Sequence, residues 1–412
     1  MTTSAQSAAP GAEPLPARAE TTATVPAFAW RGVMLDVARH FLPIEEVRRF
    51  VEAMSVLRLN VLHLHLTDDQ GWRFESKTWP RLTEVGAWRE ETVIGRPGNY
   101  LDRTLHPENH LNSYDGVRHG GFYTQDELRE LVAFARARGI TVMPEIDMPG
   151  HMRAARAAYP ELGYAPAELG VGRSWGIYPE VLRVDEAGLR FCTDILGEVL
   201  DVFDSPYVHI GGDECPPDEW EASPSAQAQA RDLGIESVAG LQRWFTNRIG
   251  EFLASRGRRL VGWDEIIDEG VPEGDPVVVA WRSWTDAARR ATEAGLDIVQ
   301  APPLLYFDYA HGTGDGEPLA IGPGATLADV YAYDPYEGVV DRALVLGLQA
   351  QLWSEYITHP DHLWYMAFPR LVAVADIGWY GAVRPSYEDF LAALPGRLEA
   401  LAAFGIGHRP LS

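Results

Sequence analysis

Eight short apolar runs, rich in β-branched residues, punctuate the chain from residue 28 onward, and their spacing limits the folds open to it. They are GVMLDV (32–37), LNVLHLHL (59–66), ITVMPEI (140–146), YVHIGG (207–212), RRLVGW (258–263), PVVVAW (276–281), LDIVQA (296–301) and LGLQAQLW (346–353). Patterns of helical period separate most of them, among them IEEVRRFVEAMSVL (44–57) and QDELRELVAFARARG (125–139). A strand–helix–strand alternation implies parallel strands joined by crossover helices. Eight such units predict an α/β chain closed into a (β/α)8 TIM barrel. An open doubly wound sheet is the alternative, but no glycine-rich phosphate-binding turn follows the first run.

The barrel reading can be checked on the sequence itself. Sites in such barrels lie at the C-terminal ends of the strands, so reactive residues should follow the apolar runs. Asp36, Arg39 and His40 follow the first run, and Asp68 and Asp69 the second. Glu145, Asp147 and His151 come with the third, Asp213 and Glu214 with the fourth, Trp263, Asp264 and Glu265 with the fifth. Trp281 and Arg282, then Tyr306 and Asp308, then Trp353 and Glu355 complete the circuit. A lone acid after a strand is often a helix N-cap, and a lone tryptophan there is often core. Three tryptophans with facing acids suit a sugar instead. Indole faces stack on the apolar face of a pyranose, and carboxylates and arginine take its hydroxyls.

Charge excludes other partners. Lys+Arg total 35 against Asp+Glu 59, a formal net charge of −24 over 412 residues, which argues against nucleic acid and anionic membrane surfaces. No stretch is apolar and long enough to span a bilayer. Residues 1–27 are rich in Ala, Pro, Thr and Glu and read as a disordered tail before a catalytic domain at 28–412. The tail lacks a basic start and an apolar core, so it does not read as a secretory signal, and a cytoplasmic location is expected. Cys192 and Cys215 read as free thiols rather than a disulfide framework. His63 and His65 form an H-x-H pair on the second run, like a metal pair of barrel hydrolases, but no later run offers an evident matching set. No metal and no cofactor are expected.

The motifs RGVMLDVARHF, NVLHLHLTDDQGWR, HGGFYTQDELRELVAFARARGI, VMPEIDMPGH, HIGGDEC, GWDE, AWR, YFD and LWSE occur in that order. Together they resemble the β-N-acetylhexosaminidases of glycoside hydrolase family 20, from about Arg31 to Trp379. The resemblance implies a retaining exo-glycosidase that removes terminal β-linked N-acetylglucosamine or N-acetylgalactosamine from glycans or chitooligosaccharides. It also explains why HIGGDEC sets two carboxylates side by side. A substrate-assisted glycosidase uses the substrate's own acetamido oxygen as nucleophile, so its two acids serve different atoms of one sugar. By resemblance Glu214 is the acid and base, and Asp213 orients the acetamido group. Asp68 and His151 form a relay behind Glu214, with Asp147 supporting it. Arg39, partnered by Glu355, binds hydroxyls at the far side of the ring. Trp263, Trp281 and Trp353 wall the pocket, Tyr306 donates to the acetamido oxygen, and Asp308 takes a hydroxyl. Asp69, Glu265 and His40 are read as structural.

Two departures from the family pattern carry expectations. Relatives often have an α/β domain before the barrel, where this sequence has only the tail, so a homodimer or a compensating loop is expected to cover the outer wall. The long segment at 94–121 is expected to shape subsites or an interface. A carbohydrate-binding relic of the fold would be expected to lose Asp213 or Glu214, and both are present. A metal-dependent barrel hydrolase, the other alternative, would lose activity to chelators.

Overall fold

The computed structural model describes residues 25–98, 105–165, 167–312, 316–322 and 324–411. Most of the expected tail at 1–27, and residues 99–104 of the long segment, lie outside the described residues.

Eight parallel strands close on themselves. They are β1 (Trp30–Asp36), β2 (Val61–His65), β3 (Thr141–Glu145), β4 (Tyr207–His209), β5 (Arg259–Trp263), β6 (Val277–Ala280), β7 (Ile298–Gln300) and β8 (Val345–Leu352). Each pairs with its neighbours in chain order, and β8 returns to β1, with Met34 opposite His63 on one side and Gln351 on the other. Around the barrel lie α1 (Ile44–Val56), α2 (Gln125–Arg136), α3 (Glu186–Val202), α4 (Leu241–Ser255), α5 (Ala287–Glu293), α6 (Leu327–Ala332), α7 (Arg370–Tyr380) and α8 (Tyr387–Ala402). Between β5 and β6 the described connection is a 3-10 turn, Asp264–Ile267, in place of a helix. The predicted (β/α)8 barrel is therefore the observed fold. No helix among the described residues is long and apolar enough to cross a membrane.

Strand alternation sorts the side chains into two layers. Val277 and Val279 join an inner cluster with Trp30, Val61, Met143, Val261, Trp263, Val299 and Ala301. Val278, between them, joins the large outer cluster under the helices. On β2 the same rule sends Leu62 and Leu64 outward to the helices and leaves His63 and His65 inside the barrel. On β8 the register shifts opposite Ile298 and Val299. That irregularity changes the parity, so Leu346 packs inside while Leu348, Ala350 and Leu352 pack outside.

One boundary differs from the sequence reading in a consequential way. The fourth run was expected to be strand to residue 212, yet regular strand ends at His209. Ile210 still bonds to Val261 O at 3.0 Å. The chain then turns through Gly211 (φ 66°) and Gly212 (φ 92°), a region that glycine enters at little cost.

Two fully buried arginines fix the loops at the C-terminal rim. Arg73 donates to the carbonyls of Val37, Ala87 and Gly121 at 2.7–3.0 Å. Arg370, on α7, donates to Phe307, Tyr309 and Met366 carbonyls at 2.8 Å each. Phe307 and Tyr309 flank Asp308, so Arg370 holds the segment after β7 in place. Arg370→Met should lower stability by about 3 kcal/mol or more, because it strands several buried carbonyls. Chemical denaturation checks this; a loss within about 0.5 kcal/mol would show that the loop does not depend on Arg370.

Candidate active site

The rim residues converge on a chain of charges. His151 sits at its centre, buried, in a left-handed backbone conformation (φ 52°). Its Nε2 lies 3.5 Å from Asp213 Oδ2 and 3.9 Å from Glu214 Oε2. Its Nδ1 lies 3.1 Å from Asp69 Oδ2 and 3.3 Å from Asp68 Oδ1. Burial alone would depress His151, but the Asp68 and Asp213 carboxylates outweigh it and hold the imidazole well above its ordinary range. Asp69, expected to be structural, is thus the nearer of the two carboxylates behind His151. Its other oxygen accepts Arg153 N–H at 2.9 Å.

Asp68 joins the relay to the rest of the barrel. It accepts from Arg39 Nη2 at 2.7 Å and meets His65 Nε2 at 2.9 Å. Burial would raise its pKa, but Arg39 and then His151 hold it well below the usual carboxylate range. His65 bonds on its far side to Glu145 Oε2. His63 Nε2 reaches the same oxygen at 2.9 Å, while Trp263 Nε1 donates to Glu145 Oε1 at 2.9 Å. His209 Nδ1 also lies 2.9 Å from Oε1. The expectation that no later run matches the H-x-H pair is therefore corrected: Glu145 on β3 and His209 on β4 meet it inside the barrel. Ligand atoms of His63, Glu145 and His209 lie within 4.8 Å of one another, a donor set with metal-binding chemistry. Here His63 and Glu145 bond to each other. Burial first, against the pull of Glu145, pushes His63 down to about 4. His65 stands well above its ordinary range, since Glu145 and Asp68 outweigh burial.

Asp213 and Glu214 owe their placement to a constrained turn. Glu214 has φ 43°, uncommon for a residue with a side chain. Gly212 N–H donates to Asp147 Oδ1 at 3.2 Å. A Cβ on Gly211 would collide with that same oxygen, so the turn passes Asp147 too closely for any other residue. Burial, then the Asp213 carboxylate, pushes Asp147 well above the usual carboxylate range. Asp213 Oδ1 is buried and has no hydrogen-bond partner among the described residues.

Across the rim stand Arg39, Asp308 and Glu355. The close ion pairs of Arg39 are Asp68 at 2.7 Å and Asp36 at 3.5 Å, and its charge also acts on Glu355. Its guanidinium also lies 4.9 Å from the Trp353 ring centre. Both Asp308 oxygens and Glu355 Oε2 are buried without a hydrogen-bond partner among the described residues. Burial, despite Arg39, pushes Glu355 up to about 7. Burial, then Glu355, does the same to Asp308, well above its usual range.

The aromatic residues divide. Trp263 was expected to wall the pocket, but it is 1% exposed and anchored to Glu145, so it forms the floor. Trp353 packs 5.7 Å from it and 6.5 Å from Tyr306. Trp281 stacks on Tyr306 at 6.3 Å and donates its indole N–H to Glu265 Oε2 at 2.9 Å. Glu265, expected to be structural, belongs to this wall: burial and then Asp213 push it well above the usual range. His40 bonds through its backbone N–H to Ser354 Oγ at 3.0 Å. Both cysteines are free thiols, as expected.

Acids with unpartnered oxygens among the described residues, a buried arginine and aromatic faces around one barrel mouth define a carbohydrate-active (β/α)8 protein. The chain belongs to glycosyl hydrolase family 20, whose catalytic domain matches residues 28–382. It is 39% identical over 393 residues to a β-hexosaminidase of Porphyromonas gingivalis, covering 94% of this chain and 48% of that one. A β-hexosaminidase of Vibrio furnissii is 39% identical over 361 residues, 86% of this chain and 57% of its own. The chain spans about half the length of these curated relatives. A crystal structure of a β-N-acetylhexosaminidase superposes with a TM-score of 0.80 at 31% identity, covering 92% of this chain and 77% of that one. An exo-β-N-acetylglucosaminidase from Vibrio harveyi, solved with N-acetylglucosamine, gives 0.77 at 36% identity, covering 93% and 59%.

Two outcomes test this electrostatic description. Glu145→Gln should cost about 3–5 kcal/mol, since it removes the buried charge that faces His65 across from Asp68 and holds His63, His209 and Trp263; urea denaturation measures it, and a neutral result would remove Glu145 as the anchor. Glu355 has its pKa raised on folding, from 4.5 to about 7. A raised carboxyl holds its proton more tightly when folded, so ionisation opposes folding. The cost is absent below about 4.5, grows as pH rises from there to about 7, and is fully present above that. Glu355→Gln should therefore melt with the unmodified protein near pH ~4 and above it near pH ~8. Parallel melting curves across that range would contradict the shift.

Proposed function

We propose that the chain is a retaining exo-β-N-acetylhexosaminidase that works by substrate-assisted catalysis. The observation that carries this reading is the asymmetry of the adjacent acids. Asp213 Oδ1 is a buried acceptor without a partner, suited to the N–H of an acetamido group. Glu214 is the more exposed of the two, its side chain 26% open against 13%, suited to a proton donor at the leaving oxygen.

In the first step Glu214 gives its proton to the glycosidic oxygen as the C1–O bond breaks. The acetamido oxygen of the same sugar forms the new bond to C1, giving an oxazolinium ion. Asp213 accepts the N–H bond and balances the positive charge that develops on it. In the second step water attacks C1, Glu214 takes the water proton, and the ring opens to N-acetylhexosamine. Two displacements at C1 retain the anomeric configuration. His151, charged and held by Asp68 and Asp69, steadies both acids through the proton's departure and return. The unpartnered oxygens of Asp308 and Glu355, with Arg39, take ring hydroxyls. Trp281, Trp353 and Tyr306 enclose the sugar above Trp263. The substrate class is glycans or chitooligosaccharides ending in β-linked N-acetylglucosamine or N-acetylgalactosamine.

A panel of aryl β-glycosides tests the mechanism. The N-acetylglucosaminide should turn over at least about 1,000-fold faster than the plain glucoside, which lacks the nucleophile. Asp213→Asn should lose rate on the first substrate, and Glu214→Gln should lose turnover by orders of magnitude on an unactivated disaccharide while remaining folded. Proton NMR in the first minutes should show the β-anomer. An inverted product, or comparable rates on both glycosides, would remove the substrate-assisted step.

A further inference from the structure

Trp284 is the one exposed tryptophan among the thirteen in the chain, with 65% of its surface open to solvent. It stands on the 3-10 turn Ser283–Thr285, just beyond β6 and three residues after Trp281. The two indoles meet edge to face, 5.3 Å between centroids at 89°. Trp284 thus extends the aromatic wall of the site outward into water.

The turn that presents it is built rigidly. Asp264, fully buried, accepts the backbone N–H of Trp281 at 2.8 Å and of Arg282 at 2.9 Å. The Arg282 guanidinium is tied to Asp264 at 2.5 Å and to Asp268 at 2.8 Å. Ser283 N–H bonds to Trp281 O, and Thr285 N–H to Arg282 O, at 3.0 Å each. Asp286 closes the turn with φ 54°, a conformation that costs energy in a residue with a side chain. A buried charge cluster and a constrained backbone therefore hold a large apolar face in solvent, against the tendency of such a face to be buried.

Its place on the rim indicates what it meets. Glu214 follows β4, Glu265 follows β5, and Trp281 and Trp284 follow β6. Arg39, Asp308 and Glu355 belong to β1, β7 and β8, across the mouth. A sugar whose hydroxyls lie among those three residues turns its anomeric carbon towards Glu214. The group on the leaving oxygen then passes over the rim on the β4–β6 side. We infer that Trp284 is the platform for that group: a second pyranose, the penultimate residue of a β-linked chain, stacks its apolar face on the exposed indole. This rests on Glu214 being the acid of the proposed reaction. The indole face is apolar, and the axial C–H face of a pyranose is a matching apolar surface.

The test compares two leaving groups in the purified full chain. One substrate is the β-1,4-linked dimer of N-acetylglucosamine; the other is the methyl β-glycoside of N-acetylglucosamine, whose leaving group is too small to reach Trp284. Trp284→Ala should raise KM for the dimer about ten-fold with kcat little changed, the loss of one stacking contact. The same variant should leave both constants for the methyl glycoside within about two-fold, and Trp284→Phe should recover most of the dimer's KM. Equal losses on both substrates would make Trp284 a support for Trp281 and overturn the subsite. Unchanged constants on both would overturn it as well. Hydrolysis of neither by the unmodified protein would overturn the reading of the whole site, and this subsite with it.

Discussion

One buried carboxylate organises the interior of the barrel. Glu145, fully buried at the end of β3, takes hydrogen bonds from His63 and His65 on β2 and from Trp263 on β5, with His209 on β4 beside it. Four consecutive strands are thereby tied to a single side chain. Burial works against its charge, but the surrounding histidines outweigh burial and keep it ionised. The charge then passes upward: His65 stands between Glu145 and Asp68, and Asp68 between Arg39, His65 and His151. Positions alternate in sign from barrel floor to rim. Isolated buried charges are costly and paired ones tolerable, so each member depends on the next, and the rim geometry is linked to the floor.

The backbone shows the same economy at the turn that carries Asp213 and Glu214. His151 and Glu214 both adopt left-handed conformations, in two loops that face each other. Residues held this way persist only where their surroundings over-determine them. Here the surroundings are specific. Gly212 bonds to Asp147, Gly211 leaves no space for a Cβ against the same carboxylate, and Gly150 packs under the Asp213 carbonyl. The two glycines before the acids thus have a packing reason as well as a conformational one. They bring one strand end close enough to its neighbour for His151 to reach both acids.

The fold was legible because its signal is local. Apolar runs and helical period survive in any window of the sequence, and the expected strands lie within two or three residues of the observed ones. Residues projecting from strand ends were legible for the same reason: the barrel topology turns "after an apolar run" into "at the rim". What escaped depends on pairs far apart in the chain. Asp69 and Glu265 look like ordinary neighbours of Asp68 and Asp264 until His151 and Trp281 are seen to bond to them. The H-x-H pair finds Glu145 and His209 only once β2, β3 and β4 lie side by side. The ion pairs of Arg39 with Asp36 and Asp68 likewise emerge only once the rim has folded. A useful signal was present in part: His65, Glu145 and His209 sit at inward positions of adjacent strands, and inward polar residues in a barrel must find one another.

The unpartnered acids at the mouth complete this logic. Asp213, Asp308 and Glu355 each keep a buried oxygen without a hydrogen bond among the described residues. In a folded protein such oxygens carry a desolvation cost that a glutamine or an apolar residue would avoid. They are grouped where a ring bearing several hydroxyls and an N–H would satisfy them together, and away from the fully paired Glu145 cluster below. Asp308 and Glu355, whose ionisation burial opposes, are therefore among the groups that gain most from a polar ligand. The cost that these oxygens carry in the folded chain is the free energy a matching polar ligand would recover, and a ligand lacking one of the matching groups would leave one acid still unpaired.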